Sequence, residues 1–390
     1  MKIVDFKTFV VGNPPPSFGG RYWIFLKLIT DSGINGFGEA YGIPFHPTVA
    51  QKMIEDVCER YVVGKSPFQI EKIWRTIFSS GYTQRPDVSL GGVLSSIEIA
   101  MWDIVGKELN KPIYDLLGGK VNEKLRTYTY IYPDSNDNDV YNNVDAAAEK
   151  AIKYIQKGFN ALKFDPVGPY TVNDPRTLSN ENIQHVENFV KVLRKAVGEE
   201  CDLLIGTHGQ MTSNCAIKLA KKIEKYNPFW LEEPVPPNNI DAMSKVANNI
   251  NIPVATGERL TTKYEFNEIL KNKAASILQL NMGRVGGILE GKKISAMADA
   301  FHVQIAPHMY CGPIVAAANL QVSASISNFL ILEGIETWGG FDSEIMKKYF
   351  QWEDGCILLN SEPGLGIEID EEKILQYPYD GKELHLEMSE

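Results

Sequence analysis

The chain has 390 residues, 44% of them hydrophobic and 23% charged, with a formal net charge of -10. That acidity excludes nucleic acid and anionic membrane surfaces as expected partners, although a bound cation or a lysine can still make a pocket attractive to a small anion. Five cysteines (Cys58, Cys201, Cys215, Cys311, Cys356), odd in number and without a CxxC pair, argue against a disulfide framework or a zinc cluster and for a reducing, cytoplasmic setting.

The N-terminal "MKIVDFKTFVV" alternates like a strand and carries no signal-peptide pattern. No stretch reads as the roughly 20 apolar residues that cross a bilayer. "WIFLKLITDSGINGFGEAY" reads as two strands turning at Asp31-Ser32-Gly33, after a segment, "GNPPPSFGG", too rich in proline and glycine for a regular element. Helical patterns follow in "HPTVAQKMIEDVCERYVV" and "GGVLSSIEIAMWDIVGKELN", so residues 1–124 read as an α+β module. Residues 125–345 change texture. Eight short apolar runs, "LRTYTYI", "NALKFD", "DLLIG", "FWLEE", "IPVATGE", "ASILQLN", "VQIAP" and "FLILE", alternate with helical stretches, and Gly158 and Gly198 stand where helix C-caps belong. The expected fold is α/β: a (β/α)8 TIM barrel with an α+β capping domain, to which the tail, residues 346–390, returns.

Barrel chemistry comes from the C-terminal ends of the strands. From strand two onward these ends carry Lys163 and Asp165, then His208 just beyond Gly206, then Glu232, Glu258, Asn281, His308 and Glu333. One polar tip is ordinary loop composition; polar groups at seven consecutive tips describe the rim of one site. Glu232 and Glu258 on neighbouring strands can share a hard divalent cation, with Mg2+ the better match because no Cys/His cluster favours zinc. A cation with lysine and histidine nearby fits removal of a proton beside a carboxylate. His185 and His302 read as packing or surface residues, and Trp102 and Trp230 as core.

The segments "SSIEIAMWDIVGKELNKPIYDLLGG", "FWLEEPVPP", "IPVATGERL", "ILQLNMGRVGGI" and "IAPHMYCGPI" resemble, in order and spacing, the mandelate racemase subgroup of the enolase superfamily, which includes acid-sugar dehydratases of the galactonate dehydratase kind. The resemblance covers roughly residues 1–370. It implies one Mg2+ per subunit on Glu232 and Glu258, His308 as general base, His208 of "THG" as general acid, Lys163 beside the substrate carboxylate and Glu333 on a substrate oxygen. It implies that Arg21 and Tyr22 close over a sugar acid, with His46 and Arg85 as further candidates. Tyr310 and Trp338, just past strands seven and eight, are candidate pocket residues. A homo-oligomer, dimer or octamer, is implied as well.

Three positions depart from that family's pattern. Gly206 stands where an aspartate metal ligand is usual, Asn281 where an aspartate pairs with the strand-seven histidine, and Asp165 where a lysine base is common. Asp165 is therefore a candidate for the third ligand, with His208 the other. Asn281 is expected to accept from the His308 ring N–H through its amide oxygen. With one convincing base and one acid, the expected reaction is dehydration of an aldonate to a 2-keto-3-deoxy acid. An epimerase or cycloisomerase using the same enolate, and a non-catalytic sugar-acid binder, are the alternatives.

Overall fold

The computed structural model describes residues 1–134 and 139–390. Three antiparallel strands open the chain: β1 (Ile3–Gly12), β2 (Tyr22–Thr30) and β3 (Asn35–Ala40), in the order β1-β2-β3. Against them pack α1 (Pro47–Val57), α2 (Ile70–Phe78) and α3 (Val88–Glu108). The long α3 lies so close to β3 that a Cβ on Gly38 would stand 1.8 Å from the Ser96 carbonyl oxygen. This helix corrects one sequence expectation: it has 21 residues and is apolar enough by length and composition to cross a bilayer. Here its apolar surface is turned into the protein, with 83% of the window buried. A short helix, α4 (Ile113–Leu116), leads out of this module.

Eight parallel strands follow: β4 (Lys124–Tyr130), β5 (Ala161–Phe164), β6 (Asp202–Gly206), β7 (Trp230–Glu232), β8 (Val254–Thr256), β9 (Ile277–Leu278), β10 (Gln304–Ile305) and β11 (Leu332–Gly334). Neighbours in sequence pair from β4 to β10, and β11 pairs with β4, Leu332 opposite Thr127. The Ile305–Phe329 bridge closes the ring between β10 and β11. Between strands run α5 (Val144–Gln156), α6 (Asn180–Val197), α7 (Ser213–Ile223), α8 (Ile240–Ala247), α9 (Thr262–Lys271), α10 (Ile288–Ala300) and α11 (Pro313–Ala324). The sheet is buried on both faces, which is why its strands read as short continuous apolar runs rather than as alternating ones. Gly158, directly after the C-cap of α5, and Gly198, the C-cap of α6, take positive φ as expected.

The barrel interior is filled by one residue per strand: Tyr128, Ala161, Leu204, Trp230, Ala255, Ile277, Ala306 and Ile331. Two large rings, Tyr128 and Trp230 at 5.4 Å edge to face, are offset by three alanines, so the layer fills without overpacking. This layer is the floor of the site. Because side chains alternate along a strand, residues two positions on form the next layer toward the mouth: Tyr130, Lys163, Gly206, Glu232, Gln279, His308 and Glu333.

The N-terminal module is tied to the barrel by two buried glutamates. Glu98 of α3 accepts from the backbone N–H of Ile288 (2.7 Å) and Leu289 (2.8 Å) at the start of α10. Glu39 of β3 accepts from Gly312 (2.7 Å) and Val315 (2.9 Å) at the start of α11. Each satisfies helix N–H groups that have no intrahelical partner. The C-terminal segment touches both parts. Cys356–Leu358 pairs antiparallel with β4, while Gly12 N–H donates to the Tyr377 carbonyl at 2.7 Å and Tyr379 N–H to that of Val10 at 3.1 Å. The last residues then cross toward the β5–α6 loop, where Ser389 exchanges backbone hydrogen bonds with Tyr170 (3.0 Å) and Val172 (2.9 Å).

Candidate active site

Strand geometry gathers most of the polar tips. Lys163 and Glu232, both buried, meet at 2.5 Å, and Lys163 lies 3.7 Å from Glu333. Burial alone would favour loss of the Lys163 charge, but Glu232, then Glu333 and Glu258, outweigh it and hold the ammonium well above its ordinary pKa. Glu232 accepts two further bonds, from the Trp230 indole (3.1 Å) and from the Gln279 amide (2.6 Å). Glu333 accepts from the Met309 N–H at 2.7 Å through one oxygen, while the other, buried, makes no hydrogen bond and faces Lys163 at 3.7 Å.

The two imidazoles flank one carboxylate. His308 Nε2 lies 3.6 Å and His208 Nε2 4.0 Å from the same Glu258 oxygen. Their surroundings push them apart. Burial lowers the pKa of His208, yet Asp165 and then Glu258 more than reverse this, and it ends above the usual value. For His308 burial wins over Glu333 and Glu258, and its pKa falls. His208 also holds φ at 44°, the left-handed region in which non-glycine residues are uncommon, in the tight turn at the strand tip.

Gly206 has a spatial counterpart. A Cβ there would stand 2.0 Å from Asp165 Oδ1, so the Asp165 carboxylate occupies room that a side chain at 206 would need. Asp165 accepts from Tyr170 at 2.8 Å and from Tyr130 at 3.5 Å, and lies 3.4 Å from His208 Nδ1. Among the described residues, His208, Glu232 and Glu258 form a group whose ligand atoms all lie within 4.8 Å of one another. The donors present therefore suit a divalent cation.

Asn281 corrects an expectation. Its amide nitrogen, not its oxygen, faces the ring, 3.0 Å from His308 Nδ1 and 3.1 Å from the His308 carbonyl. The amide oxygen is taken by the Gly283 N–H at 2.8 Å. In this arrangement Nδ1 is the acceptor, so neutral His308 carries its proton on Nε2, facing the site.

Arg21, Tyr22 and Tyr310 all meet the C-terminal segment. Arg21 faces the C-terminal segment, 3.6 Å from Glu383 and 3.9 Å from Glu387, and the Tyr22 hydroxyl accepts from the His385 N–H at 3.2 Å. Tyr310 stands 6.2 Å from the His385 ring. Trp338 is buried edge-on against Phe350, and His46 caps α1. Arg85 is exposed. Sequence reasoning missed Gln279, Tyr130, Tyr170, Tyr41 and His385. The first two were accessible, since each lies two residues beyond an interior position on its strand.

With this geometry in hand, the comparisons with known proteins are specific. Residues 17–118 match the mandelate racemase / muconate lactonizing enzyme N-terminal domain, and residues 146–373 the enolase C-terminal domain-like family. The chain is 34% identical over 362 residues to D-gluconate/D-galactonate dehydratase of Picrophilus torridus, covering 92% of this chain and 89% of the relative. It is 30% identical over 392 residues to D-xylonate dehydratase of Haloferax volcanii, covering 98% and 90%. A candidate mandelate racemase/muconate lactonizing enzyme of known structure from Labrenzia alexandrii DFL-11 superposes with a TM-score of 0.98 at 53% identity, covering 100% of this chain and 99% of that one.

Proposed function

The chain belongs to the mandelate racemase / muconate lactonizing enzyme family of the enolase superfamily, and from that premise we propose that it is a magnesium-dependent hydro-lyase that dehydrates an aldonate to a 2-keto-3-deoxy acid. The observation that carries the reading is the pair of imidazoles on either side of Glu258, with the Lys163–Glu232 ion pair in the same ring of strand tips. The curated relatives named as gluconate, galactonate and xylonate dehydratases support the substrate class.

Glu232 and Glu258 would hold the cation, whose positive charge would offset the second negative charge that the substrate carboxylate gains as its α-proton leaves. Asp165, an oxygen donor at the position vacated by Gly206, would complete the set. Lys163 would orient the substrate carboxylate. His308 then removes the α-proton. His208 gives a proton to the departing 3-hydroxyl, which leaves as water. The enol formed tautomerises to the keto acid. To serve as base His308 must carry its proton on Nδ1, so the Asn281 amide has to turn over and lose its bonds to both the Gly283 N–H and the His308 carbonyl, about 1 kcal/mol each.

The Asn281 orientation favours a second reading, in which the imidazoles exchange roles: His208, backed by Asp165, is the base, and His308, with its proton on Nε2, is the acid. Two variants separate them. The assay uses D-gluconate, D-galactonate and D-xylonate with Mg2+, semicarbazide trapping of keto acid and NMR of α-deuterium in D2O. In the first reading His308→Asn loses exchange and dehydration together, while His208→Asn keeps exchange. In the second the two variants trade results. EDTA-insensitive keto-acid formation would overturn the metal assignment. Absence of keto acid from every aldonate would overturn the reaction.

A further inference from the structure

The last residues of the chain form a strap over the barrel mouth. Tyr379 pairs with β1, Arg21 reaches the Leu384 carbonyl (3.5 Å) as well as Glu383 and Glu387, and Ser389 pairs with the loop after β5. The strap thus spans from the N-terminal module to the loop that carries Tyr170, the partner of Asp165. Midway along it, His385 turns its ring inward. The ring stands 5.1 Å edge-on from Tyr41, which itself lies 5.4 Å from the His308 ring, and 5.9 Å from Tyr22. The opposing loop is recessed to receive it, since a Cβ on Gly20 would fall 1.9 Å from the imidazole.

Both ring nitrogens of His385 are buried, and neither has a hydrogen-bond partner. Buried polar atoms are nearly always satisfied, so two on one ring point to a partner that arrives with a ligand. Burial pushes the imidazole down to about 3, with Arg284, His308 and Arg21 adding to the effect, so it offers one donor and one acceptor at neutral pH. The two nitrogens lie on opposite edges of the ring, so a hydroxyl can meet one of them, donating to the bare nitrogen or accepting from the N–H. The free space beside the ring, bounded by Tyr22, Glu39, Tyr41 and His385, is about 10 Å3, the room of a single water or hydroxyl oxygen.

We propose that His385 is a specificity-determining residue that binds a distal hydroxyl of the substrate, delivered to the site by the C-terminal strap. The inference rests on the sugar-acid reading above. Its action is on recognition rather than on proton transfer, because one aromatic ring, Tyr41, separates it from His308.

The test compares wild type, His385→Phe, which keeps a ring of similar size, and His385→Gln, which keeps a donor and an acceptor. Binding of D-gluconate, D-galactonate and D-xylonate with Mg2+ is measured by calorimetry beside keto-acid formation. His385→Phe is expected to raise Kd and KM about tenfold, the loss of roughly one hydrogen bond, with kcat within about threefold and an unchanged melting temperature. His385→Gln should recover part of the loss. Equal kcat/KM for wild type and His385→Phe would overturn the proposal. If wild type binds an aldonate without forming keto acid, and His385→Phe still weakens binding, the dehydratase reading fails and this one stands. If no aldonate binds wild type, both fall.

Discussion

At the scale of single residues the site shows paired changes rather than losses. Gly206 lacks a side chain, and Asp165 Oδ1 stands 2.0 Å from the point at which that side chain would begin. The two positions cannot be altered independently. Gly206→Ala drives a methyl group into the Asp165 carboxylate, and both this variant and Asp165→Ala are expected to bind metal at least about tenfold more weakly. The double variant Gly206→Asp/Asp165→Ala should bind it again. Metal content by mass spectrometry checks this. Full occupancy in Asp165→Ala would sink the assignment, and loss confined to His208→Asn would move the third ligand to the imidazole. A histidine donor suits softer cations than Mg2+, so the metal recovered from the wild type is a second readout. The strand tips could be read from sequence because each is a polar residue ending an apolar run. The orientation of the Asn281 amide could not, because the Gly283 N–H that fixes it depends on the local turn.

At the scale of elements, two helices of the barrel take their N-terminal partners from the other module. Glu98 receives the Ile288 and Leu289 N–H groups and the Trp102 indole, yet burial pushes its carboxyl up to about 8. In the unfolded chain the same group titrates near 4.3. The folded state therefore binds the extra proton between these values. The stability this contributes is complete below about 4.3 and is lost as pH rises through about 8. Glu98→Gln keeps the shape but cannot ionise. Its melting temperature should lie below that of wild type at pH 5, and the gap should narrow by about 2–4 °C by pH 8. A gap that widens with pH would show that the carboxylate, not the acid, is the form the helix start prefers. The sequence places Glu98 within the apolar stretch of α3, between Ile97 and Ile99, but the donors it satisfies lie 190 residues away in α10.

At the scale of the whole molecule, the interior layer of the barrel is both its core and the floor of its chemistry. Trp230 fills that layer and donates to Glu232 at 3.1 Å. Trp230→Ala should cost about 3–5 kcal/mol, read from the urea midpoint. Trp230→Phe, which keeps most of the volume, should cost less in stability while still lowering metal affinity through the lost indole donor. Equal metal binding in Trp230→Phe and wild type would show that the indole does not position Glu232. The same scale governs the strap. Arg21 and Tyr22, expected from sequence to close over a sugar, hold the segment bearing His385, and Tyr22 also bounds the space beside its ring, so the N-terminal module meets the mouth together with the last residues of the chain.

The sequence by itself determined the barrel, the module beside it and the ring of tips from Lys163 to Glu333, because strand period and residue type are local properties and each βα unit repeats the same geometry. Only the tertiary structure decided what those tips do to one another. It set Asp165 in the space beside Gly206, turned the Asn281 amide nitrogen toward His308, and carried His385 back over the mouth. These contacts join segments far apart in the chain, and no local pattern encodes a distance between them.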